Sequence, residues 1–92
     1  MGVIMKIAIC DDQKMDIENI SNIIKAHPMF KECEISFFES SSVLLSSFQQ
    51  EKSYDIIFLD VDMPEINGIN LGKQIKELHE NTFIVFVSSY PQ

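Results

Sequence analysis

The sequence predicts an α/β domain built around a parallel sheet, and two observations lead to that fold class. Apolar runs of strand length alternate with amphipathic segments of helix length along the 92 residues, which is the pattern of consecutive strand–helix–strand units. Polar residues follow the apolar runs directly, at the positions where parallel sheets carry their ligand sites. Because a chain of this length has room for a single core, we expect one domain or part of one.

The elements of the first half are predicted from apolar periodicity and from capping residues. Isoleucines repeat along the first helix, and Pro28 ends it because proline disfavours helical geometry in the residue before it. The serines at 40–42 supply hydroxyl groups that can cap a second helix. These elements are a strand at 5–10, a helix at about 14–27 with Ile17, Ile20, Ile23 and Ile24 on its apolar face, a strand at 34–39, and a helix with Leu44, Leu45 and Phe48 that ends near residue 51.

The second half predicts two further strands with a helix between them. The run IIFL at 56–59 has no alternation of apolar and polar residues, which indicates a strand covered on both faces at the centre of the sheet. The last strand is also apolar throughout and looks central, although no following element covers it or pairs with it. The predicted segments are a strand at 54–60, a helix that follows the turn residues 63–68 and runs to about 80 with Leu71, Ile75 and Leu78 at i, i+4 and i+7, and a strand at 82–87.

Composition and charge exclude several classes of function. The net charge is −7, with seven basic residues, all lysine, against fourteen acidic ones, so this segment lacks the basic surface that binds nucleic acid directly. Its apolar runs are far shorter than the roughly 20 residues of a membrane span, and its start does not resemble a secretory signal. We therefore expect a cytoplasmic protein with no membrane contact. The two cysteines, Cys10 and Cys33, are predicted to be reduced.

Acidic residues follow two of the predicted strands. Asp11 and Asp12 come after the first strand, Asp60 ends the third and Asp62 comes two residues later, while Ser88 follows the fourth. Because parallel strands present their carboxyl ends at one edge of the sheet, we expect these side chains to share a crevice. Carboxylates brought together repel each other, and the oxygen donors favour Mg²⁺ over zinc. Asp60 is the candidate nucleophile for a phosphoryl group, because it ends the most buried strand.

The acidic pair at 11–12, the run IIFLDVDMPEING at 56–68 and Ser88 together resemble the receiver domain of bacterial two-component response regulators. The resemblance extends from residue 5 to residue 90. It implies a flavodoxin-like (CheY-like), doubly wound parallel sheet, in a signalling domain and not an enzyme. The segments at 9–12, 59–64 and 86–90 more specifically resemble receivers that continue into a LytTR-type DNA-binding effector domain, which this chain does not contain.

The resemblance also assigns roles to the acidic residues. It implies that Asp60 accepts a phosphoryl group from the phosphohistidine of a sensor histidine kinase. Asp12, Asp60 and the backbone carbonyl of Asp62 would bind Mg²⁺, and Asp11 would support the metal through water. Ser88 matches the switch hydroxyl of the family, which bonds the phosphoryl oxygen.

One departure from the family pattern concerns length. A complete receiver has five strands and five helices, so residues 1–92 are predicted to be the N-terminal part of a receiver domain, ending after the fourth strand. The fourth helix, the fifth strand and the fifth helix would be missing, together with the lysine and the aromatic switch residue of the family. We expect such a chain to be phosphorylated poorly unless a partner completes it, for example in a homodimer or swapped dimer through the uncovered sheet edge.

Two other interpretations remain open at this point. The segment Asp60-Val61-Asp62 also resembles the DxD motif of haloacid-dehalogenase-type phosphohydrolases, in which the first aspartate is the nucleophile. That motif normally follows the first strand of the core, whereas here a strand with its own acidic pair precedes it. The other interpretation is an interaction module that resembles a receiver but carries out no phosphoryl chemistry.

Overall fold

A computed structural model describes residues 4–30, 32–50 and 52–88 of the chain. Strands and helices alternate along it, as predicted. In chain order the elements are β1 (Lys6–Cys10), α1 (Lys14–Ala26), a short 3-10 helix (Pro28–Phe30), β2 (Glu34–Phe38), α2 (Ser41–Gln49), β3 (Ile56–Asp60), α3 (Gly68–Leu78) and β4 (Phe83–Val87).

The four strands form one parallel sheet in the order β2-β1-β3-β4. This confirms the predicted α/β class, the central position of β3 and the outer position of β2. The chain moves to one side of β1 to form β2 and to the other side to form β3. The crevice between β1 and β3 is therefore the point at which the strand order reverses, where open parallel sheets bind their ligands.

The helices cover both faces of the sheet. On one face α2 and α3 pack against each other and against the sheet, and α1 packs against β1 on the other face. We call the apolar cluster beneath α2 and α3 the α2–α3 core; its buried members are Ala8, Cys10, Leu44, Phe48, Tyr54, Ile57, Leu59, Met63, Leu71 and Ile75. The buried members of the smaller cluster under α1 are Ile7, Ile9, Ile17 and Ile24.

Two predictions about burial were wrong. Ile23 is 72% exposed, because consecutive helical residues are 100° apart and Ile24 already faces the sheet. Leu78 is half exposed in the last turn of α3. β4 looks central from its apolar run but lies at the edge of the described sheet, with Phe83 64% exposed, which agrees with the uncovered edge expected for the last strand. An apolar run predicts a strand, but its place in the sheet depends on which neighbours pair with it.

The helix ends agree with the predicted capping residues. The last helical residue of α1 is Ala26, and His27, which precedes Pro28, is extended with φ −84° and ψ 127°. Ser40 caps α2 by accepting a hydrogen bond from the amide of Val43. The end predicted near residue 51 lies outside the described residues, and α2 itself ends at Gln49. No helix in the described ranges is long and apolar enough to span a membrane.

Candidate functional site

Three carboxylates converge at the carboxyl ends of β1 and β3. Asp11, Asp12 and Asp60 each offer an oxygen, and these three atoms lie within 4.8 Å of one another. Asp11 is 1% exposed and Asp60 3% exposed, whereas Asp12 is accessible to solvent. We call this group the acidic crevice. Its formation agrees with the expectation that the strand ends bring these side chains together.

The parallel pairing of the strands positions the acidic crevice. Cys10 pairs with Leu59 in the register of β1 and β3, so the aspartates that follow them come from adjacent strands. The amide of Asp11 donates to the carbonyl of Phe38 on β2 at 3.0 Å. Both sides of the crevice are thus held by the backbone of a rigid sheet, which limits how far the carboxylates can move apart.

Local side-chain-to-backbone hydrogen bonds orient the two buried carboxylates. Oδ1 of Asp11 accepts from the amide of Gln13 at 2.9 Å, and Oδ1 of Asp60 accepts from the amide of Asp62 at 3.2 Å. Such bonds two residues along the chain are typical of aspartates that begin a turn. Each carboxylate therefore has one oxygen engaged by the backbone.

The acidic crevice is electrostatically unfavourable for its own charges. Burial raises the pKa of Asp11 to about 6, the amide of Gln13 opposes the rise, and the charge of Asp60 adds to it. Burial also raises the pKa of Asp60, against the lowering by the amide of Asp62 and with a further rise from Asp12. A cation bound between these oxygens would offset both burial and repulsion, and an all-oxygen donor set fits Mg²⁺.

Cys10 lies directly beneath the acidic crevice in the α2–α3 core. Burial, with a smaller contribution from Asp11, raises the pKa of its thiol to about 12. Its Sγ lies 3.7 Å from Sδ of the buried Met63, in the loop after β3. The side chain therefore remains a neutral thiol and serves as a small core residue, as the sequence predicts.

The loop from β3 to α3, residues 61–67, must pass very close to Asp60. A Cβ atom at Gly68 would overlap the backbone carbonyl oxygen of Asp60, so glycine is required there for close approach. The amide of Gly68 donates to the carbonyl of Val61 at 3.0 Å, and the amide of Val61 donates to the carbonyl of Val87 on β4. We call residues 61–67 the acceptor loop.

Asp62 and Ser88 lie at the same edge of the sheet as the acidic crevice. The side chain of Asp62 is exposed and is not part of the group of three carboxylates, while its amide contacts Asp60. Ser88 is exposed and directly follows β4, whose last residue pairs with Asp60. The Asp62 carbonyl as a metal ligand and the Ser88 hydroxyl as a switch stay predictions.

Sequence reasoning missed a set of contacts between the start of α2 and the acceptor loop. It interpreted Ser40, Ser41 and Ser42 as helix caps, but all three hydroxyls also contact residues 64–66 of the acceptor loop. A cap needs one hydroxyl, so three consecutive serines were the available signal. The sequence offers no indication of which distant segment they would meet.

Comparison with known proteins agrees with this geometry. A family model described as the response regulator receiver domain matches residues 7–92. The chain belongs to the response regulator receiver domain family. The family match favours the receiver interpretation over the haloacid-dehalogenase alternative. A receiver domain is a signalling domain and not a classical enzyme.

The chain is also similar in sequence to two curated relatives. The chain is 33% identical to the response regulator protein TodT of Pseudomonas putida over 84 residues, covering 91% of the chain and 35% of TodT. It is 31% identical to the transcriptional regulatory protein YpdB of Escherichia coli over 88 residues, covering 96% of the chain and 35% of YpdB. The chain thus spans about a third of the length of these relatives.

Solved structures show the receiver fold. A CheY-like receiver domain protein from Methanospirillum hungatei matches with a TM-score of 0.81 and 17% identity, covering 98% of this chain and 68% of that one. The CheX–CheY–BeF3–Mg+2 complex from Borrelia burgdorferi matches with a TM-score of 0.81 and 19% identity, covering 99% and 66%. The predicted CheY-like arrangement of four parallel strands and three helices is therefore confirmed.

Proposed function

We propose that this receiver domain accepts a phosphoryl group on Asp60 with Mg²⁺ bound in the acidic crevice. The observation that carries the proposal is the convergence of Asp11, Asp12 and Asp60 at the point where the strand order reverses. Because three carboxylates in that position repel one another, a bound cation is favoured there, and a purely structural role for these aspartates is disfavoured.

Asp60 is the acceptor because it combines a fixed position with a reactive oxygen. It ends β3, a central strand, and the amide of Asp62 holds Oδ1 in place. An oxygen of Asp60 attacks the phosphorus of a phosphohistidine on a sensor histidine kinase. The new bond joins this oxygen to phosphorus, the phosphorus–nitrogen bond breaks, and its electron pair returns to the imidazole nitrogen, which takes up a proton.

The side chains of Asp12 and Asp60 and the backbone carbonyl of Asp62 would hold Mg²⁺, with Asp11 supporting it through water. When bound, the ion neutralises charge on the carboxylates and on the phosphoryl oxygens. The same burial that raises the pKa of Asp11 and Asp60 keeps their carboxylates away from bulk water. The chain itself orients the carboxylates and partly excludes water from the acidic crevice.

The wider role follows from the family and stays part of the proposal. Ser88 would bond the phosphoryl oxygen as the switch hydroxyl, and phosphorylation would control a DNA-binding effector domain outside residues 1–92, of the LytTR type. The names of TodT and YpdB, a response regulator and a transcriptional regulator, support control of transcription.

Residues 1–92 would be the N-terminal part of the receiver, which a fourth helix, a fifth strand and a fifth helix would complete. The exposed edge of β4 would otherwise allow a homodimer or a swapped dimer.

A magnesium titration of the 92-residue chain tests the metal site. We expect weak binding, with Kd on the order of 1 mM, and we expect the variant Asp12→Asn to lose it. The variant Glu77→Gln removes one exposed charge from the end of α3, outside the group of three carboxylates, and serves as the control. Absence of binding in the unchanged chain at about ten times that concentration would contradict the proposal.

A second experiment tests the acceptor. The longer protein that contains this domain is incubated with acetyl phosphate and Mg²⁺ and examined by intact mass. We expect one phosphoryl group per chain, none in Asp60→Asn, and a lower extent for residues 1–92 alone. An adduct that persists in Asp60→Asn would show that another residue is the acceptor.

A further inference from the structure

The start of α2 and the acceptor loop are joined by three consecutive serines. Ser41 is 1% exposed; its hydroxyl accepts from the amide of Ile66 at 3.2 Å and lies 3.4 Å from the carbonyl oxygen of Pro64. Ser40 and Ser42 flank it on the outside. These contacts link segments that are more than twenty residues apart in the chain, so they are part of the tertiary structure and not of the helix cap alone.

The two outer serines bind the two oxygens of one carboxylate. The hydroxyl of Ser40 donates to Oε1 of Glu65 at 2.8 Å, and that of Ser42 donates to Oε2 at 3.0 Å. A carboxylate near the first turn of α2 is also favoured by the helix dipole. Hydrogen bonds to a charged acceptor are stronger than those between neutral groups.

The backbone at Glu65 shows that these contacts constrain the loop. Within the described ranges Glu65 is the one residue other than glycine with a positive φ, at 68°. This left-handed conformation is unfavourable for a residue with a side chain and persists where surrounding contacts hold it. The two hydroxyl groups on its carboxylate and the Ser41 contacts on either side of it supply that restraint.

We infer that Ser40, Ser41, Ser42 and Glu65 form a clasp that positions the acceptor loop, and that Glu65 and Ser42 are positioning residues for divalent cation binding in the acidic crevice. The inference rests on the proposed function. Asp62, whose carbonyl is the proposed ligand and whose amide orients Asp60, lies three residues before Glu65 in the same loop. A loop released at residues 64–66 would hold the Asp62 backbone less firmly, and cation affinity would fall.

The variant Ser42→Ala tests the clasp without changing charge. Because alanine has a higher helix propensity than serine, any loss of cation affinity does not come from a weaker α2. We expect the Mg²⁺ dissociation constant of the chain to rise about 3- to 10-fold, which is less than the full loss of a hydrogen bond to a charged group, because only part of that loss reaches the Asp62 backbone. Ser46→Ala, at an exposed position on the same helix, should leave it within about twofold, and Ser42→Thr should restore most of the affinity.

A double-mutant cycle with Glu65→Ala separates the clasp from simple electrostatics. If Ser42 acts through Glu65, the two losses are not additive, and Ser42→Ala adds little in the Glu65→Ala background. Glu65→Gln, which loses the charge but keeps an oxygen acceptor, should retain more affinity than Glu65→Ala. Additive losses, or an unchanged dissociation constant in Ser42→Ala, would overturn the inference.

Hydrogen exchange distinguishes a failure of the clasp from a failure of the proposed function. The amide of Gly68 bonds to the carbonyl of Val61 across the acceptor loop, and its exchange is measured without metal. We expect several-fold faster exchange in Ser42→Ala than in the unchanged chain. If the unchanged chain binds no Mg²⁺ but this exchange accelerates, the proposed function fails and the clasp stands as a restraint on the loop. If exchange is unchanged, the clasp fails whatever the chain binds.

Discussion

The α2–α3 core and the acidic crevice are built from consecutive residues of the same two strands, yet they affect stability in opposite directions. Cys10 and Leu59 are fully buried among apolar neighbours, and the residues that follow them, Asp11 and Asp60, are buried among carboxylates. Burial of apolar side chains stabilises the fold. Burial of carboxylates raises their pKa and costs free energy when they ionise.

This difference suggests how the domain holds an unfavourable site. The sheet and the α2–α3 core impose the position of the carboxylates, and the charges cannot separate without breaking strand pairing. A cation then gains affinity from the repulsion that it relieves. The predictions below test whether the two regions are separable, from the largest expected effect to the smallest.

Leu71→Ala should produce the largest loss of stability. Leu71 is fully buried in the α2–α3 core, and its truncation leaves a cavity that costs about 2–5 kcal/mol in the free energy of unfolding. Urea denaturation measures the change, with Leu78→Ala in the same helix as a half-exposed control of clearly smaller effect. If the regions are separable, the Mg²⁺ affinity of the folded Leu71→Ala chain stays within about twofold. A larger change in affinity would show that they are not.

Gly68→Ala should damage both regions at once. The new Cβ would overlap the carbonyl oxygen of Asp60, so we expect a loss of about 1–3 kcal/mol from overpacking together with weaker Mg²⁺ binding. Gly72→Ala is the matched control, because its Cβ would meet only side chains, with the half-exposed Phe86 nearest at 3.0 Å. Equal effects of the two substitutions on Mg²⁺ binding would contradict the role given to Gly68.

The free energy of unfolding without metal should fall as pH rises from about 4 to about 6. The pKa of Asp11 is about 6 in the folded chain against 3.8 as its ordinary value, so the folded state binds more protons in this window. We expect a loss on the order of 1–2 kcal/mol, allowing for screening by the water that reaches Asp12. Denaturation at several pH values measures it. Asp11→Asn should flatten the profile, and a profile that rises through this window would contradict the prediction.

Magnesium should recover a smaller amount of stability. At a concentration ten times its dissociation constant, an ion that binds only the folded chain adds about 1.4 kcal/mol. Thermal or urea unfolding at pH 7 with and without Mg²⁺ measures this gain, and Asp60→Asn should abolish it. An equal gain in Asp60→Asn would indicate binding elsewhere on this acidic surface.

The order and type of the main elements could be predicted from the sequence because periodicity and capping are local. Pro28 ended α1 where expected, and Ser40 caps α2 as expected through a hydrogen bond three residues along the chain. Asn67 caps α3 in the same local way, although it was not predicted as a cap. The short 3-10 helix was missed, because three residues carry no periodicity. The burial of Ile23 was overestimated, because helical periodicity alone does not specify how wide a stripe the sheet covers.

The convergence of the acidic residues was also predictable, because parallel strands place their carboxyl ends at one edge. The sequence alone determined that Asp11, Asp12 and Asp60 would follow buried strands, and the motif around them indicated the family. Only the tertiary structure decided that Ser40 and Ser42 bind Glu65. Contacts across twenty-odd residues depend on how whole elements pack, and no local pattern of residues specifies that packing.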